Sequence, residues 1–441
     1  MAVPIPGVWR DGGQPFSPKT TSSPRRARGR SPGALRGGGL LALALLAGCG
    51  GATGAAPAES PASGPEPAAK EPFDLGKALA READDLPARE IRAADWSARA
   101  FGAAEPKIEQ KEKLVALSIP LGTASQVECF VYNTMLDSGE VMRNFIELLD
   151  PEKLDVARIV PWEISVHRES PAVFVQALYF TQTGAGKAAG LLKIALHADK
   201  AHPIACLHDE VGYVRTFERL AKGLFDSFDS KSAAAKPEYT DTVILRLDKL
   251  PVGFETSDLF KGEDGQRRWL SRSATFIPRD PKSLHIEDEA SNVLIDPEGR
   301  IKGGVWVETS QGAVSHRIEL SQKKNFQYDY AGEVEGKKVQ GTMTLAKAWL
   351  ASPVATASEL ARLLKKKGAF DLKQQEYMPS VDPTKPVDVQ YLRDASGSVT
   401  VKMSATRLVG SLAPDGRPES FEISNDGAAL TLQRAYVRGK L

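Results

Sequence analysis

From residue 239 onward the chain is cut at short intervals by turn signals. They are Asp264-Gly265-Gln266, Asp296-Pro297-Glu298-Gly299, Thr309-Ser310-Gln311-Gly312, Glu335-Gly336, Ala395-Ser396-Gly397, Pro414-Asp415-Gly416 and Asn425-Asp426-Gly427. Between them run alternating segments such as GVWVET, AVSHRIEL, FQYDYAGEV, SVTVKMSA and ALTLQRAYV. Loops this short join antiparallel neighbours, because a parallel crossover needs a dozen or more residues. One helix is expected among the strands, TASELARLLKKKG at 356–368, with Lys365, Lys366 and Lys367 suiting the negative end of its dipole. A β-rich domain is therefore predicted over 239–441, as an antiparallel curved sheet or half-barrel.

The preceding half reads differently. Residues 73–104 are expected to be helical, with Leu79, Ile91, Trp96 and Phe101 as apolar contacts. The period then changes to two in KLVALSIP and QVECFVYN. SGEVMRNFIELLD (138–150) predicts a helix with Ser138 as cap. WEISVH, AVFVQALYF, LLKIALHAD and PIACLHDE predict strands, and VGYVRTFERLAKGLFDSF a third, strongly periodic helix. The whole is assigned to the α+β class: an N-terminal sandwich of helices on an antiparallel sheet over 73–230, a linker at 231–238, then the β-rich domain. In order of elements the first domain loosely resembles the Mog1/PsbP-type sandwich, a binding fold. The second resembles, in rhythm, the half-barrels of bacterial envelope lipid carriers. That resemblance implies a carrier or sensor of lipids or other apolar ligands.

The first 72 residues carry an address. Arg25, Arg26, Arg28, Arg30 and Arg36 lead into Leu40–Leu46, in signal-peptide order, and the apolar part is too short to span a bilayer. It ends in Leu46-Ala47-Gly48-Cys49, which resembles the bacterial lipobox at all four positions. The resemblance implies a lipoprotein precursor over 1–48, cleaved by a type II signal peptidase between Gly48 and Cys49. The Cys49 thiol would carry the lipid, palmitate among its acyl chains. Two or three acyl chains hold a protein far more firmly than one. Gly50, where Asp would mark inner-membrane retention, points to the outer membrane. Residues 50–72 hold five prolines and no aromatic or large aliphatic residue, so 49–72 is expected to be a disordered tether.

A net charge of +1 over 441 residues gives no basic field, so a nucleic-acid partner is not expected. The expected partners are the membrane, through Cys49, and an envelope protein or lipid. Three cysteines are too few for a disulfide scaffold. Cys129 and Cys206 are the candidate pair for a single bridge. Two buried free thiols are the favoured alternative, since no spacing brings their Cα atoms within reach.

No catalytic constellation can be assembled, and neither cofactor nor metal is expected. YFTQTGAGKAAG lacks the first glycine and the Ser/Thr of a phosphate loop, with Thr181 and Ala188 in their places. Ser321–Lys324 spells S-x-x-K, but between two predicted strands rather than at a helix start. His197, His202 and His208 cluster in sequence, yet strand parity sends His197 to the polar face with Lys193 and His208 to the other. Asp288 and Glu289 fall in a turn-rich segment where solvation accounts for them. Trp306, Phe326, Tyr328 and Tyr330 are expected in the sheet core, with the lining of a ligand groove as their other reading. The favoured function is a non-catalytic binding or interaction module at the membrane surface.

Overall fold

The computed structural model of the chain describes residues 75–441 apart from 124, 150–153, 184–185, 232–235, 263–264, 325, 346–348 and 426–427. The leader, Cys49 and the tether lie outside the described residues. Of the described residues 59% are strand and 12% helix, arranged in three sheets. Every strand pair is antiparallel. The architecture is mostly β, which overturns the α+β assignment.

The largest departure is at 73–104. Among the described residues there, only Leu75–Leu79 is helical, and Leu79 is exposed. Pro87 leaves its neighbours extended. Ala88–Arg92 and Trp96–Phe101 then form a hairpin in which Trp96, Ala98 and Ala100 are buried in alternation. That is a period of two, and it outweighs the helical spacing of the larger residues. Asp229–Ser230 completes this three-stranded sheet.

The seven-stranded sheet runs Lys107–Gln110, Leu114–Pro120, Gln126–Tyr132, Ile204–His208, Gly186–His197, Ser170–Thr183 and Leu154–His167. Both its faces are covered. On one lie the three-stranded sheet and the helix Val214–Ser227, whose stripe of Phe217, Leu220, Ala221, Leu224 and Phe225 is buried. On the other lie the helix Ser138–Ile146 and the outer face of the third sheet, with Phe254, Ala274, Phe276 and Ile286 packed against Val173, Val175 and Ile194. The helix Val214–Ser227 takes its N-terminal partner from far away in sequence. The Glu82 carboxylate accepts from the backbone of Arg215 (3.1 Å) and Thr216 (2.8 Å).

The third sheet has fourteen strands and an unusual order. Tyr239–Leu247 pairs with Leu250–Lys261, and the meander continues strand by strand to Lys337–Thr344 at one edge. On its other side Tyr239–Leu247 pairs with the last strand, Ala428–Gly439, and a second meander runs back to Phe370–Glu376 at the far edge. The two edge strands are joined through the helix Pro353–Lys365, which lies against the inner face. This helix starts three residues before the expected Thr356: Ser352 is its N-cap, accepting the Ala355 N–H at 3.2 Å, and Pro353 takes the first position. Gly416, at φ +80°, lets the turn before Pro418–Asn425 approach the helix closely; a Cβ there would run into the Ala357 carbonyl.

Candidate functional site

The inner face of the fourteen-stranded sheet does not fill its own interior. Between two apolar clusters, one around Trp269 and Trp306 and one around Val401 and Phe421, lies a cavity of about 190 Å³ capped by Thr356, Ala357 and Leu360 of the helix. Cross-strand register explains the space. One row of inward residues runs Ser257, Ser271, Ser291, Trp306, and the next runs Glu255, Ser273, Glu289. Serines occupy positions that large apolar residues would need to fill in order to close the interior.

The cavity wall is charged. Glu255 accepts from Ser271 Oγ at 3.1 Å, and burial pushes its carboxyl up to about 7 against the pull of Arg417. Glu376 accepts from Gln374 Nε2 (2.5 Å), the Tyr391 hydroxyl (2.9 Å) and Thr356 Oγ1 (3.5 Å). Burial raises the Glu376 carboxyl, and burial followed by Glu376 itself raises the Tyr391 phenol well above its ordinary range. Arg417 is committed elsewhere: its Nε donates to Asp241 Oδ2 at 3.0 Å, its Nη2 to Ser257 Oγ at 3.3 Å, and its plane lies over Trp269 at 5.0 Å. Burial works against the Arg417 charge, and Asp241 more than restores it. Beside this pair Arg434 holds Asp415 at 2.6 Å, and Tyr239 donates to Asp241 at 3.0 Å. Trp306 and Tyr377 meet edge to face, centroids 5.1 Å apart.

Of the four aromatics singled out by the sequence, the cavity takes Trp306. Tyr328 is fully buried and donates to the Ile301 carbonyl at 3.0 Å. Tyr330 packs on the same cluster. Phe326 precedes the strand Gln327–Val334 and meets Trp349 at 4.4 Å. Cys129 and Cys206 stand opposite one another on hydrogen-bonded strands, Cα atoms 4.0 Å apart, and are joined by a disulfide rather than left as free thiols. Cys49 and Gly48 fall outside the described residues.

The histidines do not converge. His197 Nε2 meets the His167 carbonyl at 2.9 Å and its ring stacks on Phe225. His202 Nδ1 meets the Tyr132 carbonyl (3.1 Å), and His208 Nε2 meets Ser125 Oγ (3.0 Å). The expected polar face of Lys193 and His197 is buried, because the helix Val214–Ser227 covers it. Lys193 is satisfied there by the carbonyls of Leu191 and Glu210. Among the described residues no group of three or more His, Cys, Asp or Glu is placed to hold a metal ion.

Asp288 and Glu289 are not in a turn. They sit inside the strand Ser283–Ile295, Glu289 facing the cavity and Asp288 the opposite side, where its Oδ1 accepts the Gly139 N–H at 2.8 Å. A chain with the outline of a catalytic triad was not anticipated: Ser165 Oγ to His167 Nε2 at 3.1 Å, and His167 Nδ1 to Asp226 at 2.7 Å. The Asp226 side chain is 61% exposed, so it lacks the burial that lets a triad aspartate orient its histidine. Glu255, Glu376 and Arg417 carry no local sequence signal. They are far apart along the chain and meet only when both meanders close on the helix.

No family model matches this chain, and no curated protein does. Among solved structures, the crystal structure of a beta-barrel-like protein of a domain of unknown function, DUF1849, from Brucella abortus is similar at a TM-score of 0.36 and 11% identity. The match covers 46% of this chain and 98% of that one. A likeness at that score carries neither fold nor function across.

Proposed function

We propose that this chain is a bacterial envelope lipoprotein, anchored through Cys49 and directed to the outer membrane, whose folded part is a non-catalytic binding module. The observation that supports the binding reading is the cavity beneath the helix Pro353–Lys365. It is apolar along Val401, Met403, Leu408 and Phe421 and polar at Glu255, Glu376 and Arg417. An apolar wall with a few convergent polar groups is the usual make-up of a small-molecule site. Its volume, about 190 Å³, exceeds the ~150 Å³ of an engineered cavity that takes benzene and falls short of the ~300 Å³ lower bound for drug-sized ligands. A compact ligand fits, or the end of a longer one, and this restricts the lipid-carrier alternative to molecules inserting only a terminal group.

Native mass spectrometry of the full chain purified from bacteria, paired with an organic extract, tests the binding reading. A stoichiometric adduct lost on Trp306→Ala is the expected result. No adduct, together with no saturable binding from a small-molecule panel, would favour a protein-interaction role instead. The anchor is tested separately. Cys49→Ser should leave an uncut precursor that takes up no labelled palmitate, since only the thiol serves as the acceptor. Normal processing of that variant would refute the lipobox reading.

A further inference from the structure

The cavity has an electrostatic sign. Glu255 and Glu376 both face it, and among the described residues neither is in an ion pair. Arg417, the cation of the wall, has its nitrogens on Asp241 and Ser257 and its face on Trp269, and it attracts Glu255 and Glu376 without an ion pair to either, so one cation is shared among three carboxyl groups. The remaining wall supplies ring faces and edges from Trp306, Tyr377 and Tyr391, and an apolar end at Met403 and Phe421. Carboxyl groups that outnumber the one nearby cation, set among aromatic rings in a desolvated space, complement a positive charge on an apolar body.

We infer that this cavity binds small organic cations, an ammonium on a compact apolar group, with the charge on the Glu255 and Glu376 wall and the apolar part toward Met403 and Phe421. This rests on the binding reading above and names its ligand class. A cation entering the site replaces lost hydration with charge-assisted hydrogen bonds. A neutral isostere gains only the apolar contact, and an anion meets both carboxyl groups.

Titration of the groups around each carboxyl adds a pH profile. Glu255 faces Asp241 of the strand Tyr239–Leu247, Ser271 of the strand Arg267–Asp280, and Arg417. Glu376 faces Gln374, Thr356 of the helix, Tyr391 of the strand Val387–Arg393, and Arg417. As Glu255 loses its proton near pH 7, the site gains negative charge and cation affinity rises.

The test is calorimetric titration of the full chain with benzylammonium, benzyl alcohol and benzoate. Benzylammonium is expected to bind saturably, benzyl alcohol roughly tenfold more weakly and benzoate more weakly still. Affinity for benzylammonium should rise from about pH 6 to about pH 8 while that for benzyl alcohol stays flat. Glu255→Gln and Glu376→Gln should each weaken benzylammonium roughly tenfold and leave benzyl alcohol unchanged. If either variant fails to fold, the ranking and pH profile of the unmodified chain decide. Benzyl alcohol or benzoate binding as tightly as benzylammonium would overturn the cation inference and leave the binding reading standing. Binding by none of the three would overturn it too, and the adduct measurement then judges the binding reading on its own.

Discussion

Asp288 ties the fourteen-stranded sheet to the helix Ser138–Ile146 through one carboxyl group. Its Oδ1 accepts the Gly139 N–H at 2.8 Å, supplying the N-terminal partner that Asp137, the N-cap residue of the helix Ser138–Ile146, does not make with its own side chain. Burial drives the Asp288 carboxyl up to about 7, with Asp137 and Glu140 adding repulsion that the Gly139 bond and Arg143 only partly offset. A folded pKa above the unfolded one means that the native state holds the proton longer. The group's contribution to stability is therefore fully present below about pH 4 and is lost as pH rises through about 7. Asp288→Asn keeps an acceptor for Gly139 and removes the titration. Denaturant unfolding should find the variant more stable than the unmodified chain at about pH 8, by about 1–3 kcal/mol, with the difference shrinking as pH falls and gone below about pH 4. An unchanged difference across that range would sink the assignment. Nothing local in HIEDEAS announces this role. Adjacent acids suggest a solvated turn, and only the covering of both strand faces gives Asp288 and Glu289 opposite fates.

At the level of elements, legibility depended on whether one face stays wet. The helix Val214–Ser227 was readable because its apolar stripe is continuous and its other side is polar. The hairpins beyond 239 were readable because Gly, Asp and Asn mark their turns. The stretch 88–101 was not, because small Ala98 and Ala100 carry the alternation that large residues obscure. Strand parity misplaced His197 for a related reason: a face holding Lys193 looks polar until a helix is laid over it. The disulfide was hidden by distance. Cys129 and Cys206 are 77 residues apart, and only the insertion of Ile204–His208 beside Gln126–Tyr132 makes them neighbours. Cross-linking across so long a loop restricts the unfolded chain, so replacing both cysteines by alanine should cost about 2–4 kcal/mol. Thermal melts of the double variant beside the oxidised chain measure this, and equal midpoints would show the bond to be energetically idle.

For the whole molecule, the shared core between the seven- and fourteen-stranded sheets decides cooperativity. Phe276 is fully buried there, among residues of both sheets. Phe276→Ala should cost about 3–5 kcal/mol through lost transfer energy and a cavity. Calorimetry should show one unfolding peak moving to lower temperature, whereas a split into two would mean that the sheets melt separately. The sheet order itself was beyond reach of the sequence, because pairing of Tyr239–Leu247 with Ala428–Gly439 is a contact between the two ends of the region. That pairing has a mechanical consequence. The beginning and end of this half of the chain are stitched together mid-sheet, so the free borders are Lys337–Thr344 and Phe370–Glu376, with no ladder between them. The structure is a purse sewn shut at its ends and clasped in its middle by one helix: parting the clasp breaks side-chain packing, the hydrogen bonds of Ser352 with the Gly299 carbonyl and of Thr356 with Gln374 and Glu376, and the isolated bridge between Arg300 and Ala351, but none of the strand pairing that keeps the purse in shape.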